Sequence, residues 1–137
     1  DRQVELKQVA VLVETDDSWG SSVIRGIADY SQNHGFWRLL IDPKDHEQRV
    51  ALPDRWNGDG IIARLGSQLQ VRQVKERKLP TVNIDTVFEG IPGVCDVVTD
   101  DAERAQLAFE HLRDRGFDEF AYFAPPSRRY SGKRGEE

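Results

Sequence analysis

Asp16, Trp19, Arg64, Asp85 and Asp100 each follow closely on a short apolar run, and together their types make a recognition set. Carboxylates accept hydrogen bonds, a guanidinium donates through a planar fork, and a tryptophan offers a flat apolar face. Each residue also has a plainer role open to it. Asp16 or Asp17 can cap a helix, Trp19 can pack at a helix start as a staple, and Arg64 can face solvent on its loop. Asp100 is better suited to a cap than to a ligand. One of the Asp16–Asp17 pair is expected to cap, leaving the other for a ligand.

Covalent chemistry finds little support. Dinucleotide binding needs glycines between the first strand and the first helix, so that pyrophosphate can approach the backbone. That turn carries Asp16 and Asp17 and a single glycine, Gly20, and two carboxylates would repel a pyrophosphate. A phospho-receiver domain shares the strand–helix alternation and could use Asp16-Asp17 for Mg²⁺. It also needs an aspartate after the third strand, where Ala63-Arg64-Leu65-Gly66 stands, and a later strand-end lysine, which is missing. His34, His46, His111 and Cys95 have no metal-ligand spacing, and there is no Gly-x-Ser-x-Gly elbow. No enzyme, cofactor or metal is expected.

The elements that must position the candidates are legible in the apolar pattern. Strands are expected over 8–13, 36–41, 60–63, 81–84, 96–99 and 119–123. Helices are expected over about 18–33, 67–78 and from Asp100 to Arg115, with a poorly periodic short one over 44–52. In the first helix Val23, Ile27 and Tyr30, flanked by Ile24 and Ala28, make an apolar stripe, and Gly35 suits a left-handed cap. The last helix has acids at its start, bases at its end, and a stripe of Ala105, Ala108, Phe109 and Leu112 expected to be buried. Trp56, before a glycine-rich turn, reads as a core plug. Strands alternating with helices predict an α/β fold with a doubly wound, mostly parallel sheet, helices on both faces and ligands at the carboxyl ends of the strands.

The 137 residues give room for one domain with a real core. A net charge of −5 argues against a nucleic-acid footprint on this segment. Cys95 is the one cysteine, which excludes an internal disulfide, and a buried thiol is expected. No apolar run approaches a membrane span and no signal peptide is visible, so a cytoplasmic protein without membrane contact is expected. The start at Asp1, the lack of methionine and the end at Ser131–Glu137 suggest a piece of a longer chain.

Val98-Thr99-Asp100-Asp101, Ala105, Ala108, His111-Leu112, Gly116 and Ser131-x-x-Arg134 with Gly135 resemble the sugar-repressor family. Its effector core is a type I periplasmic-binding-protein fold, two doubly wound lobes about a sugar cleft. Three stretches are similar to a branch in which that sensor precedes a C-terminal AraC-type helix-turn-helix pair: Val23–Tyr30, Trp56–Ala63 and Ser131–Arg134. The resemblance implies that residues 1–126 form the first lobe and 127–137 a connector toward a second. It implies a small sugar, a pentose such as xylose favoured, as ligand, with Asp16, Trp19, Arg64, Asp85 and Arg134 as its contacts. Arg134 enters through the family's Ser-x-x-Arg position. DNA would be met only through a region outside this chain, and ligand would act by closing the lobes. A homodimer is expected, with Val71 and Val74 of the third helix as its apolar face. The rival from another class is a sugar-transport solute-binding protein. The connector, poor in apolar side chains, is expected to be mobile without its second lobe.

Overall fold

The computed structural model describes residues 6–42 and 52–123. They belong to two compact units, one reaching to Val97 and one beginning at Val98. The first contains β1 (Gln8–Leu12), α1 (Ser18–His34), β2 (Arg38–Ile41), β3 (Gly60–Ala63), α2 (Gln68–Arg77), β4 (Thr81–Asn83) and β5 (Val94–Asp96). The second contains α3 (Asp101–Arg113).

All five strands join one parallel sheet in the order β2-β1-β3-β4-β5. The expected doubly wound architecture is present. From β1 the chain steps one way to β2, and from β3 it steps the other way to β4. Right-handed crossovers therefore put α1 and α2 on opposite faces. Side chains alternate along each strand. Ala10, Leu12, Ile61 and Ala63 pack with Leu52, Leu65, Val71, Val74 and Ile91 into one core layer, while Val11 and Val13 are buried on the opposite face. Trp56 packs against the core, in keeping with its setting in the sequence.

Helix α1 starts at Asp17, whose carboxylate accepts from the Gly20 amide at 2.6 Å. Val23, Ile24, Ile27 and Ala28 are half-buried, but Tyr30 is exposed and stacks on His34. The left-handed residue at its end is Phe36 (φ 52), not Gly35, which is extended (φ 176). Ser31 explains the shift. Its carbonyl accepts from the Gly35 and Phe36 amides, and its buried hydroxyl accepts from Trp37 N–H at 2.7 Å, so the exit path is set by Ser31.

Other expectations are corrected. Strand β5 arrives two residues early, because Val94 pairs with Thr81 and the Asp96 side chain is held by Gly90 and Asn83. Cys95 is exposed, on β5, which is an edge strand of the sheet among the described residues. Val71 and Val74 are in the core and offer no apolar face for a dimer. In the second unit Asp100 caps α3 through the Glu103 amide at 3.0 Å, and Gly116 takes positive φ after it. No residue of α3 is buried. Within its unit it meets the chain that follows it, Phe109 against Phe120 at 4.9 Å. Residues 119–123, expected to form a sixth strand, have no regular structure. The helix expected over 44–52 and the connector 127–137 lie outside the described residues, Leu52 excepted.

Candidate functional site

In an open parallel sheet the crevice for a ligand opens where consecutive crossovers diverge, at the carboxyl ends of the strands. Here that point lies between β1 and β3. The parallel ladder runs on past both strands: Arg64 N–H donates to the Leu12 carbonyl at 3.0 Å and Ile84 N–H to the Ala63 carbonyl at 2.9 Å. These bonds fix the first residues after β1, β3 and β4 side by side. The polar residues there are Glu14, Arg64 and Asp85.

They meet. Arg64 Nε donates to Asp85 Oδ2 at 3.2 Å, and Arg64 Nη1 to Glu14 Oε2 at 3.3 Å, with Asp17 Oδ2 3.9 Å from the same nitrogen. The Arg64 side chain is 15% exposed, Glu14 10% and Asp85 1%, whereas Asp17 is half in solvent. Breaking one partner out of a buried pair of this kind costs about 3–5 kcal/mol, because the other charge is left uncompensated. The guanidinium carbon, Arg64 Cζ, also lies over the Trp19 indole, 4.7 Å from the ring centroid. One cation from the end of β3 is thus ringed by three carboxylates and an aromatic side chain drawn from the ends of β1 and β4 and the start of α1.

Asn83 holds the β4 side of this ring. It is fully buried. Its Oδ1 accepts from Leu65 N–H at 3.3 Å and Asp85 N–H at 3.1 Å. Its Nδ2 donates to the Asp85 and Phe88 carbonyls at 2.8 and 3.0 Å and to Asp96 Oδ1 at 2.8 Å. Donors on one side and acceptors on the other leave one orientation for the amide. Asp85 is pinned further by Val87 N–H, which donates to its Oδ1 at 3.0 Å.

Of the residues singled out from the sequence, Trp19, Arg64 and Asp85 are brought together. Asp16 is exposed on the loop beside them, and Asp17 is the one that caps. Arg134 lies outside the described residues. Asp100 is a helix cap, the plainer of its two roles. Sequence reasoning missed Glu14 and Asn83. Glu14 carried a usable signal, since it is the first polar residue after Val9–Val13, just as Arg64 follows Ala63. Asn83 carried none, because it sits inside an apolar run. Among the described residues no three His, Cys, Asp or Glu side chains could share a metal ion, and no helix is long and apolar enough to cross a membrane.

Fold and crevice define a class: a doubly wound α/β domain with a carboxylate-rich, arginine-centred mouth at its topological switch point. Residues 8–102 match the family model described as XylR N-terminal domain, and the chain belongs to that family. It is 26% identical over 131 residues to the xylose operon regulatory protein of Escherichia coli strain K12, covering 93% of this chain and 33% of that protein. It is 21% identical over 122 residues to the xylose operon regulatory protein of Haemophilus influenzae, covering 85% of this chain and 31% of that one. The chain spans about a third of the length of these curated relatives. No solved structure gives a significant match.

Proposed function

We propose that this chain is the first lobe of the effector sensor of a sugar-responsive transcription regulator. The observation that carries the reading is the Glu14–Arg64–Asp85–Trp19 cluster at the switch-point crevice of a chain in the XylR N-terminal domain family. A sugar needs acceptors for its hydroxyls and an aromatic surface for its apolar face. Asp85, Asp16 and Glu14 are the acceptors in this proposal, Trp19 is the apolar surface, and Arg134 is a donor brought from the connector. A pentose is the favoured ligand, xylose first, in keeping with the names of the matched relatives.

Residues 1–126 form the first lobe in this reading and 127–137 lead to a second. Ligand then acts by closing the lobes, shifting a conformational equilibrium that a separate DNA-binding region reads. No reaction is catalysed and no cofactor is used. The protein works in the cytoplasm as a homodimer, through a surface other than Val71 and Val74. The matched relatives are regulators, which favours this reading over a transport protein.

The test is calorimetry with D-xylose, L-arabinose and D-ribose. The full-length protein is expected to bind one of them in the micromolar range, and Asp85→Asn or Trp19→Ala is expected to weaken that binding about tenfold or more. The 137-residue chain, holding half a cleft, is expected to bind none measurably. A full-length protein indifferent to all three pentoses defeats the choice of ligand. Micromolar binding by the short chain defeats the half-cleft.

A further inference from the structure

By residue type Arg64 could donate to a ligand. Its geometry gives it a second role. Its Nε donates to Asp85, its Nη1 donates to Glu14 with Asp17 close by, and its Cζ lies over Trp19. Beside Glu14, which follows β1, the partners divide into two groups. Asp85 belongs to the turn after β4, which Asn83 and Val87 hold rigid. Asp17 and Trp19 belong to the first turn of α1, where Asp17 is also the cap. The guanidinium is what both groups touch.

We propose that Arg64 is a positioning residue that couples the first turn of α1 to the end of β4. Through it the placement of the Trp19 indole depends on Asp85, a residue far along the chain in the turn after β4. A planar fork with a stackable face can hold a carboxylate edge-on and an indole face-on at once, which a lysine ammonium cannot. The consequence for the crevice is that its aromatic face and its most buried carboxylate move together. A ligand that draws on Asp85 is therefore reported to α1. That consequence rests on the proposed sugar site, whereas the coupling itself does not need a ligand.

The coupling is measured on the ligand-free chain labelled with 5-fluorotryptophan. It has three tryptophans, 19, 37 and 56, and the resonance lost in Trp19→Phe is that of Trp19. Asp85→Asn, which keeps the shape and removes the charge, is expected to shift the Trp19 resonance while those of Trp37 and Trp56 stay in place. Arg64→Met is expected to shift it further, and adding Asp85→Asn to Arg64→Met is expected to change nothing more, which is the non-additivity of a shared partner. Arg64→Lys is expected not to restore the wild-type position. If Arg64→Met unfolds the chain, seen as collapse of all three resonances, the same cycle is run with Arg64→Lys. A Trp19 resonance unmoved by Asp85→Asn, or shifts that simply add, overturns the proposal. Because no sugar is present, neither result depends on whether pentose binding is found.

Discussion

Asn83 Nδ2 donates to Asp96 Oδ1 at 2.8 Å, joining the end of β4 to the end of β5 across thirteen residues of chain. The same Asp96 takes the Gly90 amide on its other oxygen, at 2.8 Å. The loop between the strands is therefore closed by side chains at its base and at its tip, and Asp85, within that loop, inherits its position. This makes Asn83 the residue whose loss should be felt most widely. Asn83→Ala leaves the Leu65 and Asp85 amides without their acceptor and two loop carbonyls without their donor. We expect a loss of about 2–4 kcal/mol. Chemical denaturation followed by circular dichroism measures it; a loss below about 1 kcal/mol would show that water replaces the amide.

The acid stability of the domain should report on Asp96. The Gly90 amide first and the Asn83 amide second hold its carboxyl below the ordinary 3.8, against a smaller opposing effect of burial. A carboxyl with a depressed folded value stabilises the fold fully above its unfolded value, and that contribution disappears as pH falls through the folded one. The window is thus below about pH 4. Asp96→Asn is expected to flatten the denaturation midpoint against pH in that window and to lower it at neutral pH. Asp59, held down by the Gln8 amide and by Lys7, titrates in the same direction. The double variant with Asp59→Asn should be flatter still.

Two glycines of α1 predict opposite signs. A methyl group on Gly20 would run into the Glu14 carbonyl oxygen, which lies on backbone and cannot swing aside. Gly20→Ala should therefore lift the first turn of α1 from β1 and cost about 1–3 kcal/mol. Gly26 lies mid-helix with no atom within 4 Å of such a methyl. Gly26→Ala should stabilise by about 0.5–1 kcal/mol through helix propensity alone. Thermal melts of the two single variants separate these outcomes.

Val71→Asp and Val74→Asp test the place of α2. Both valines are in the core, so each variant buries a carboxylate among apolar side chains and is expected to unfold the domain at neutral pH. Sedimentation together with circular dichroism distinguishes this from interface loss. A folded protein that merely changes its oligomeric state would return these residues to a subunit contact.

The apolar runs at Val9–Val13, Gly60–Ala63 and Thr81–Ile84 and the caps at Asp17, Ser67 and Asp100 determine the alternation of strands and helices, because they act within a few residues of themselves. They also determine that the ends of those strands are polar, so Trp19, Arg64 and Asp85 stand out as candidates in the linear chain. Local pattern carries no account of who faces whom. Only the sheet order places β1 beside β3 and β3 beside β4, and so sets Glu14, Arg64 and Asp85 within ion-pair reach of one another. Asn83 is indistinguishable from strand filler until its amide finds five partners, and the Asp96 carboxylate pulls β5 toward an earlier start than its valines suggest. Val71 and Val74 look like a thin exposed stripe until the layer beneath them closes. Hydrogen bonds and burial between residues far apart in the chain decide these things, and they exist only once the chain has folded.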